Sequence, residues 1–162
     1  MSAVDVTSLL ESARKQPRPE FVAAHRGLYL TVAENADQLG PSFATVHLDS
    51  RPRLTHLGHS FEVLEIAKAP GNPYPDRISL GRARNCDLVV RHSSVSKLHA
   101  YFRPADGGFE LIDLGSQNGT SINGKCLLPN SADWVEVDDV LLFGAVTAKI
   151  VDGERLYRLL QI

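Results

Sequence analysis

From residue 60 onward the chain is cut into short β-type runs by glycine, proline, asparagine, aspartate and serine, and this punctuation constrains the fold more than any other feature. The candidate strands are Phe61–Ala67, Arg77–Gly81, Asp87–Val90, His99–Arg103, Phe109–Leu114, Thr120–Ile122, Trp134–Val135, Val140–Phe143 and Thr147–Val151. Many short strands separated by turn residues imply an antiparallel sandwich or barrel.

The residues ahead of this region read differently. Residues 5–15 place Val6, Leu9, Leu10 and Ala13 on one helical face, and Pro17 ends that element. A second short helix is expected from Pro19, in the favoured first-turn position, through Phe21–Ala23 to a stop at Gly27. Strands are expected at Leu28–Val32 and Phe43–Leu48. Leu9, Leu10, Phe21, Val22, Leu28, Leu30 and Phe43 are too many apolar residues for a solvated tail. The expected organisation is an N-terminal extension over 1–59 docked on a β domain at 60–151. A C-terminal tail at 152–162 follows, with Leu156, Leu159 and Leu160 on the inner side of a short helix.

Charge narrows the function classes. Seventeen basic and nineteen acidic residues leave a formal charge of −2, against a surface built as a whole to attract nucleic acid. The distribution is uneven. Arg77, Arg82, Arg84, Arg91, Lys97 and Arg103 face the single acid Asp87 within 77–103, whereas 104–162 holds nine acids and four bases. The stretch MSAVDVTSLLESARK lacks the basic start and apolar run of a secretory signal, and no segment approaches the ~20 apolar residues of a membrane span. Two cysteines, Cys86 and Cys126, are too few for a disulfide framework. The expectation is a cytoplasmic protein with no membrane and no nucleic-acid partner.

Three polar clusters fall in loops between the strands. They are Gly81-Arg82 with Asp87, then Val95-Ser96-Lys97-Leu98-His99-Ala100, then Ser116-Gln117-Asn118-Gly119-Thr120 with Asn123-Gly124. A guanidinium, a hydroxyl, an ammonium and an amide are the groups that bind an oxyanion, and rigid sheets commonly carry function in such loops. No nucleophile is paired with a base, so no catalytic residue is assigned.

These clusters, joined by Asp113-Leu114-Gly115 ahead of Ser116 and by the turn Asp138-Asp139-Val140 through Gly144, resemble the signature of the forkhead-associated (FHA) family over about residues 60–151. Asp139-Val140 stands where that family often has Gly-Asp. The resemblance implies a mainly β fold, an FHA-type sandwich of about eleven strands in two antiparallel sheets, with peptide bound by loops at one end. It implies a phosphothreonine-dependent interaction module, an adaptor whose partner is a protein phosphorylated by a Ser/Thr kinase. By that similarity Arg82 and Ser96 contact the phosphate, Lys97 supports it, Asn118 hydrogen-bonds the peptide backbone and Gln117 lines the site. Gly81, His99, Gly119 and Asn123 maintain the loops. Lys97 stands where arginine is common, which keeps the charge and loses the fork.

The competing readings are weaker. A phosphate-independent scaffolding or oligomerisation domain of the same fold would not need Arg82, Ser96 and Asn118 together. Gly119-Thr120-Ser121-Ile122-Asn123-Gly124-Lys125 matches a nucleotide-binding loop until Cys126 replaces the hydroxyl residue that meets magnesium, and it lies in a β region rather than between a strand and a helix. His56 and His59 are a lone pair, and neither cysteine has a ligand-spaced neighbour, so no metal and no cofactor is expected.

Overall fold

The computed structural model describes residues 6–33, 54–56 and 59–161. The strand expected at 43–48 lies outside them. Two helices, α1 (Val6–Lys15) and α2 (Arg18–Ala24), precede the strands β1 (Tyr29–Ala33), β2 (Leu54–His56), β3 (His59–Glu65), β4 (Ile78–Gly81), β5 (Leu88–Val89), β6 (Ala100–Ala105) and β7 (Gly108–Asp113). There follow β8 (Thr120–Ile122), β9 (Lys125–Cys126), β10 (Ala132–Val135), β11 (Val140–Phe143), β12 (Val146–Val151) and a closing helix, α3 (Gly153–Leu160). One sheet has the order β2-β3-β1-β12-β11-β8-β9 and the other β10-β7-β6-β4-β5.

Alternation along each strand builds the core between the sheets. In β6, Ala100 and Phe102 are fully buried while Arg103 is exposed; in β12, Val146, Ala148 and Ile150 point inward while Lys149 is exposed. They meet Leu64, Leu80, Leu88, Leu111, Leu141 and Phe143 in one cluster. Period-2 patterning thus puts one face of these strands in the interior.

At β1 the pattern changes, because both of its faces are covered. Leu30 and Val32 enter the intersheet core, whereas Tyr29 joins Val63 and Val151 on the opposite face beneath Leu9, Ala13, Phe21, Leu156 and Leu160 of the three helices. A strand buried on both faces reads as a nearly continuous apolar run, which is what residues 28–32 show. Burial, reinforced by the negative charge of Glu65, pushes the Tyr29 phenol up to about 12. Because β1 pairs with β3 on one side and β12 on the other, the sandwich takes in residues well ahead of 60.

The helical layer is tied to itself as well as to the sheet. The Asp152 carboxylate caps α3 by accepting the Arg155 N–H at 2.9 Å. Arg18 of α2 forms an ion pair with Glu154 of α3, and Gln161 Nε2 donates to the Ala13 carbonyl of α1 at 3.0 Å.

One strand pair departs from antiparallel geometry: β5 runs parallel to β4, with Leu80 opposite Leu88 and Gly81 opposite Val89. Its return is anchored by a side chain. The fully buried Asp87 carboxylate accepts the Ser79 N–H at 2.8 Å, the Ala69 N–H at 2.7 Å and the Lys68 ammonium at 3.1 Å. No helix among the described residues is long and apolar enough to cross a membrane.

Candidate functional site

Where β4 ends, the chain turns against the segment before β6. The Arg82 N–H donates to the Ser96 carbonyl at 2.9 Å and the Ala83 N–H to the Lys97 carbonyl at 3.1 Å. The approach is close enough to demand glycine at 81, since a Cβ there would lie 2.3 Å from the Lys97 oxygen. The Arg82 side chain is exposed and held at its base, where Nε donates to the Val95 carbonyl at 3.0 Å. Its two terminal amino groups have no hydrogen-bond partner among the described residues.

Ser96 lies directly across this turn. Its Oγ accepts the backbone N–H of Gln117 at 3.1 Å, so the hydroxyl proton is available to a second acceptor. Its own N–H donates to His99 Nδ1 at 3.0 Å. With Nδ1 accepting, the imidazole proton sits on Nε2, which donates to the Gly119 carbonyl at 2.9 Å. His99 is fully buried against the edge of Phe143, and burial lowers its pKa, partly offset by the Gly119 bond and the Asp113 charge. A neutral histidine therefore joins the 96–99 segment to the 116–119 loop.

That second loop is built on Asp113, a buried carboxylate at the end of β7. It accepts the Gly115 N–H at 2.9 Å, the Ser116 N–H at 3.1 Å, the Ser116 hydroxyl at 2.5 Å and the Thr120 hydroxyl at 2.6 Å. Burial pushes its pKa up, but these bonds outweigh burial and hold the group below the ordinary carboxylate value. Ser116 Oγ in turn accepts the Gly119 N–H at 3.0 Å, and Gly119 takes a φ of 84° that a side chain would strain.

The loop carries Gln117 and Asn118 outward, both exposed. Asn118 Nδ2 donates to the Ser94 carbonyl at 2.9 Å, which fixes the amide and leaves its oxygen directed elsewhere. Ser94 Oγ accepts the Ala145 N–H at 2.9 Å, so the turn after β11 braces the same segment. Asn123 stands apart, in the β8–β9 turn with a φ of 49°; its amide donates to Asp139 at 2.8 Å and accepts the Val140 N–H at 2.9 Å.

The structure therefore brings Arg82, Ser96, Gln117 and Asn118 together on three adjoining loops, with Gly81, His99 and Gly119 beneath them. Lys97 is exposed and lines the neighbouring groove on the five-stranded sheet. Among the described residues neither Arg82 nor Lys97 forms an ion pair, so two cationic side chains stand without counter-charge. The sequence reading did not identify Asp113 or Ser94 as supports of the site. A signal for Asp113 was present: a carboxylate two and three residues before glycine and serine commonly accepts their amides in a local turn. Ser94 works through its carbonyl, for which residue type carries no signal.

Comparison with known proteins bears on the family and the fold. The family model described as the FHA domain matches residues 78–144. An oxoglutarate dehydrogenase inhibitor of Corynebacterium diphtheriae is 33% identical over 75 residues, covering 46% of this chain and 50% of that protein. The glycogen accumulation regulator GarA of Mycolicibacterium smegmatis is 42% identical over 45 residues, 28% of each chain. The chain thus spans at most half the length of these relatives. Among solved structures, the FHA domain of an Arabidopsis thaliana hypothetical protein superposes with a TM-score of 0.51 at 20% identity, over 79% of this chain and 86% of that one. A structure from work on phosphothreonine-dependent FHA domain interactions superposes at 0.50 and 15% identity, over 77% and 95%. At such identities the likeness is one of fold.

Proposed function

Because this chain carries an FHA domain, we propose that it is a phosphothreonine-dependent protein–protein interaction module, an adaptor in Ser/Thr kinase signalling rather than an enzyme. The observation that carries the reading is the pairing of two donors on facing loops. Arg82 is anchored through Nε with its fork end open, and Ser96 already accepts the Gln117 N–H and so turns its hydroxyl proton outward. A phosphate dianion offers three acceptor oxygens to such donors, and arginine binds it bidentately. Lys97 adds charge beside the site, Asn118 offers its amide oxygen to a peptide N–H, and Gln117 lines the edge. The scaffold of Gly81, His99 and Gly119, with Asn123 closing the turn behind, keeps the loops pre-organised, which lowers the ordering cost of binding.

The relatives support a regulatory role, since they are named as an inhibitor and a regulator. Phosphothreonine and phosphoserine carry the same charge, so preference rests on the threonine methyl, worth ~0.8 kcal/mol and up to ~3 kcal/mol in a tight pocket. Titration of the full chain with matched phosphothreonine, phosphoserine and unphosphorylated peptides tests the reading. Phosphothreonine should bind tightest, by roughly several-fold to a hundredfold over phosphoserine. Equal binding of the phosphorylated and unphosphorylated threonine peptides would leave only a scaffolding role.

A further inference from the structure

We infer that the groove on the outer face of the five-stranded sheet binds an acidic stretch of the same polypeptide whose phosphothreonine occupies the loops, an inference that rests on the function proposed above. The groove has a volume of about 1240 Å³ and runs between the 69–74 loop and the turn after β4. Its floor is the non-core side of the sheet: Ser79 and Tyr101 line it, whereas their neighbours Ile78, Leu80, Ala100 and Phe102 point into the sandwich.

Its walls are cationic. Arg77, Arg84, Arg91 and Lys97 all line it. The Arg77 guanidinium is stacked 4.6 Å over the Tyr101 ring and lies 5.7 Å from that of Tyr74, so its position is set before any ligand arrives. Arg84 and Lys97 are exposed and have no ion pair among the described residues. Two carboxylates lie near. Asp87 is fully buried and bound to Lys68, and Asp76 approaches Arg77 only at 3.8 Å from a site 68% exposed, where screening is strong. Tyr74 and Leu98, 60% and 53% exposed, add apolar surface that a peptide side chain can cover.

Position selects the occupant. Arg84 follows Arg82 by two residues and Lys97 follows Ser96 directly, so the groove begins beside the proposed phosphate contacts. An extended peptide advances ~3.3 Å per residue, and a handful of residues on one side of the phosphothreonine therefore reaches over it. Carboxylates spaced along such a strand match guanidinium forks. The net charge of −2 argues for a short acidic segment over a nucleic acid, which calls for a broader basic surface.

The test uses the full chain and four probes: a phosphothreonine peptide with neutral flanks, the same peptide with four glutamates on each side of the phosphothreonine, the acidic peptide without phosphate, and a short single-stranded RNA. The acidic phosphopeptide should bind roughly three- to thirtyfold tighter than the neutral one at low salt, the sum of a few exposed ion pairs. That advantage should shrink in 0.5 M salt. Arg84→Gln, a change at an exposed side chain, should remove most of it while leaving the neutral phosphopeptide within twofold. Equal affinity of the two phosphopeptides, or an advantage untouched by Arg84→Gln and by the double variant Arg77→Gln/Arg84→Gln, overturns the inference. So does RNA that displaces the acidic peptide. If phosphate proves irrelevant but the unphosphorylated acidic peptide binds through Arg84, the groove stands and the phosphothreonine reading fails.

Discussion

His99 Nδ1 accepts the backbone N–H of Ser96 at 3.0 Å, so a fully buried side chain holds the backbone that carries a half-buried serine of the candidate site. The bond requires an unprotonated Nδ1, and the opposite ring nitrogen spends its proton on Gly119. Protonation of the ring would break the contact with Ser96 at the centre of the candidate site.

This gives a pH dependence with a definite sign. Burial lowers the His99 pKa below its ordinary 6.5, so the unfolded chain takes up a proton before the folded one does. The contribution of the neutral ring is fully present above about pH 6.5 and is lost as pH falls through the lower folded value. Thermal melts between pH 5 and 8 should show stability falling on the acid side, with a shallower fall in His99→Gln. An unchanged slope in that variant would place the titration elsewhere.

Arg82→Ala should nearly abolish phosphopeptide binding in a folded protein, because losing one side of a desolvated charge pair costs ~2–5 kcal/mol. Ser96→Ala should cost less, on the order of 1.5–3 kcal/mol for a hydroxyl bonded to a charged acceptor. Calorimetry accompanied by melting curves separates the two effects from unfolding. Undiminished affinity in folded Arg82→Ala would remove this residue from the site.

Asp113→Ala should be damaging although the side chain touches no ligand. It strands the hydroxyls of Ser116 and Thr120 and two backbone amides. Even one lost bond to a charged group is worth ~1.5–3 kcal/mol. Denaturant titration should show a loss of at least that size, together with weaker phosphopeptide binding as the 115–119 loop loosens. Full affinity in this variant would mean the loop holds its shape without the carboxylate.

Phe21→Ala tests whether the helical layer is part of the cooperative unit. The ring is fully buried, stacked on His25 at 4.1 Å and tilted against Tyr157 at 5.3 Å. Truncating such a ring typically costs ~3–5 kcal/mol. The expected outcome is a lower midpoint for the whole protein with phosphopeptide affinity preserved at low temperature. A separate early transition confined to the helices would show that the layer folds on its own.

The positions of most strands and all three loop clusters were legible in the residues, because alternation and turn chemistry are local signals. Each of the nine candidate strands after residue 60 has a counterpart, from β3 to β12. The exceptions have a physical cause: β9 is two exposed residues, Lys125 and Cys126, with no apolar face to read. β2 is only three residues long, too short for alternation to register. Tertiary structure alone decided which strands became neighbours. Residues 28–32 look like a strand of an extension, yet β1 lies between β3 and β12, because only there can Leu30 and Tyr29 be buried on opposite faces. Arg82, Ser96 and Asn118 were recognisable as residue types that bind phosphate. Their convergence depends on bonds that cross between loops, from Arg82 Nε to the Val95 carbonyl, from His99 Nε2 to the Gly119 carbonyl, from the Gln117 N–H to Ser96 Oγ and from Asn118 Nδ2 to the Ser94 carbonyl, contacts between segments apart in the chain that no local pattern encodes.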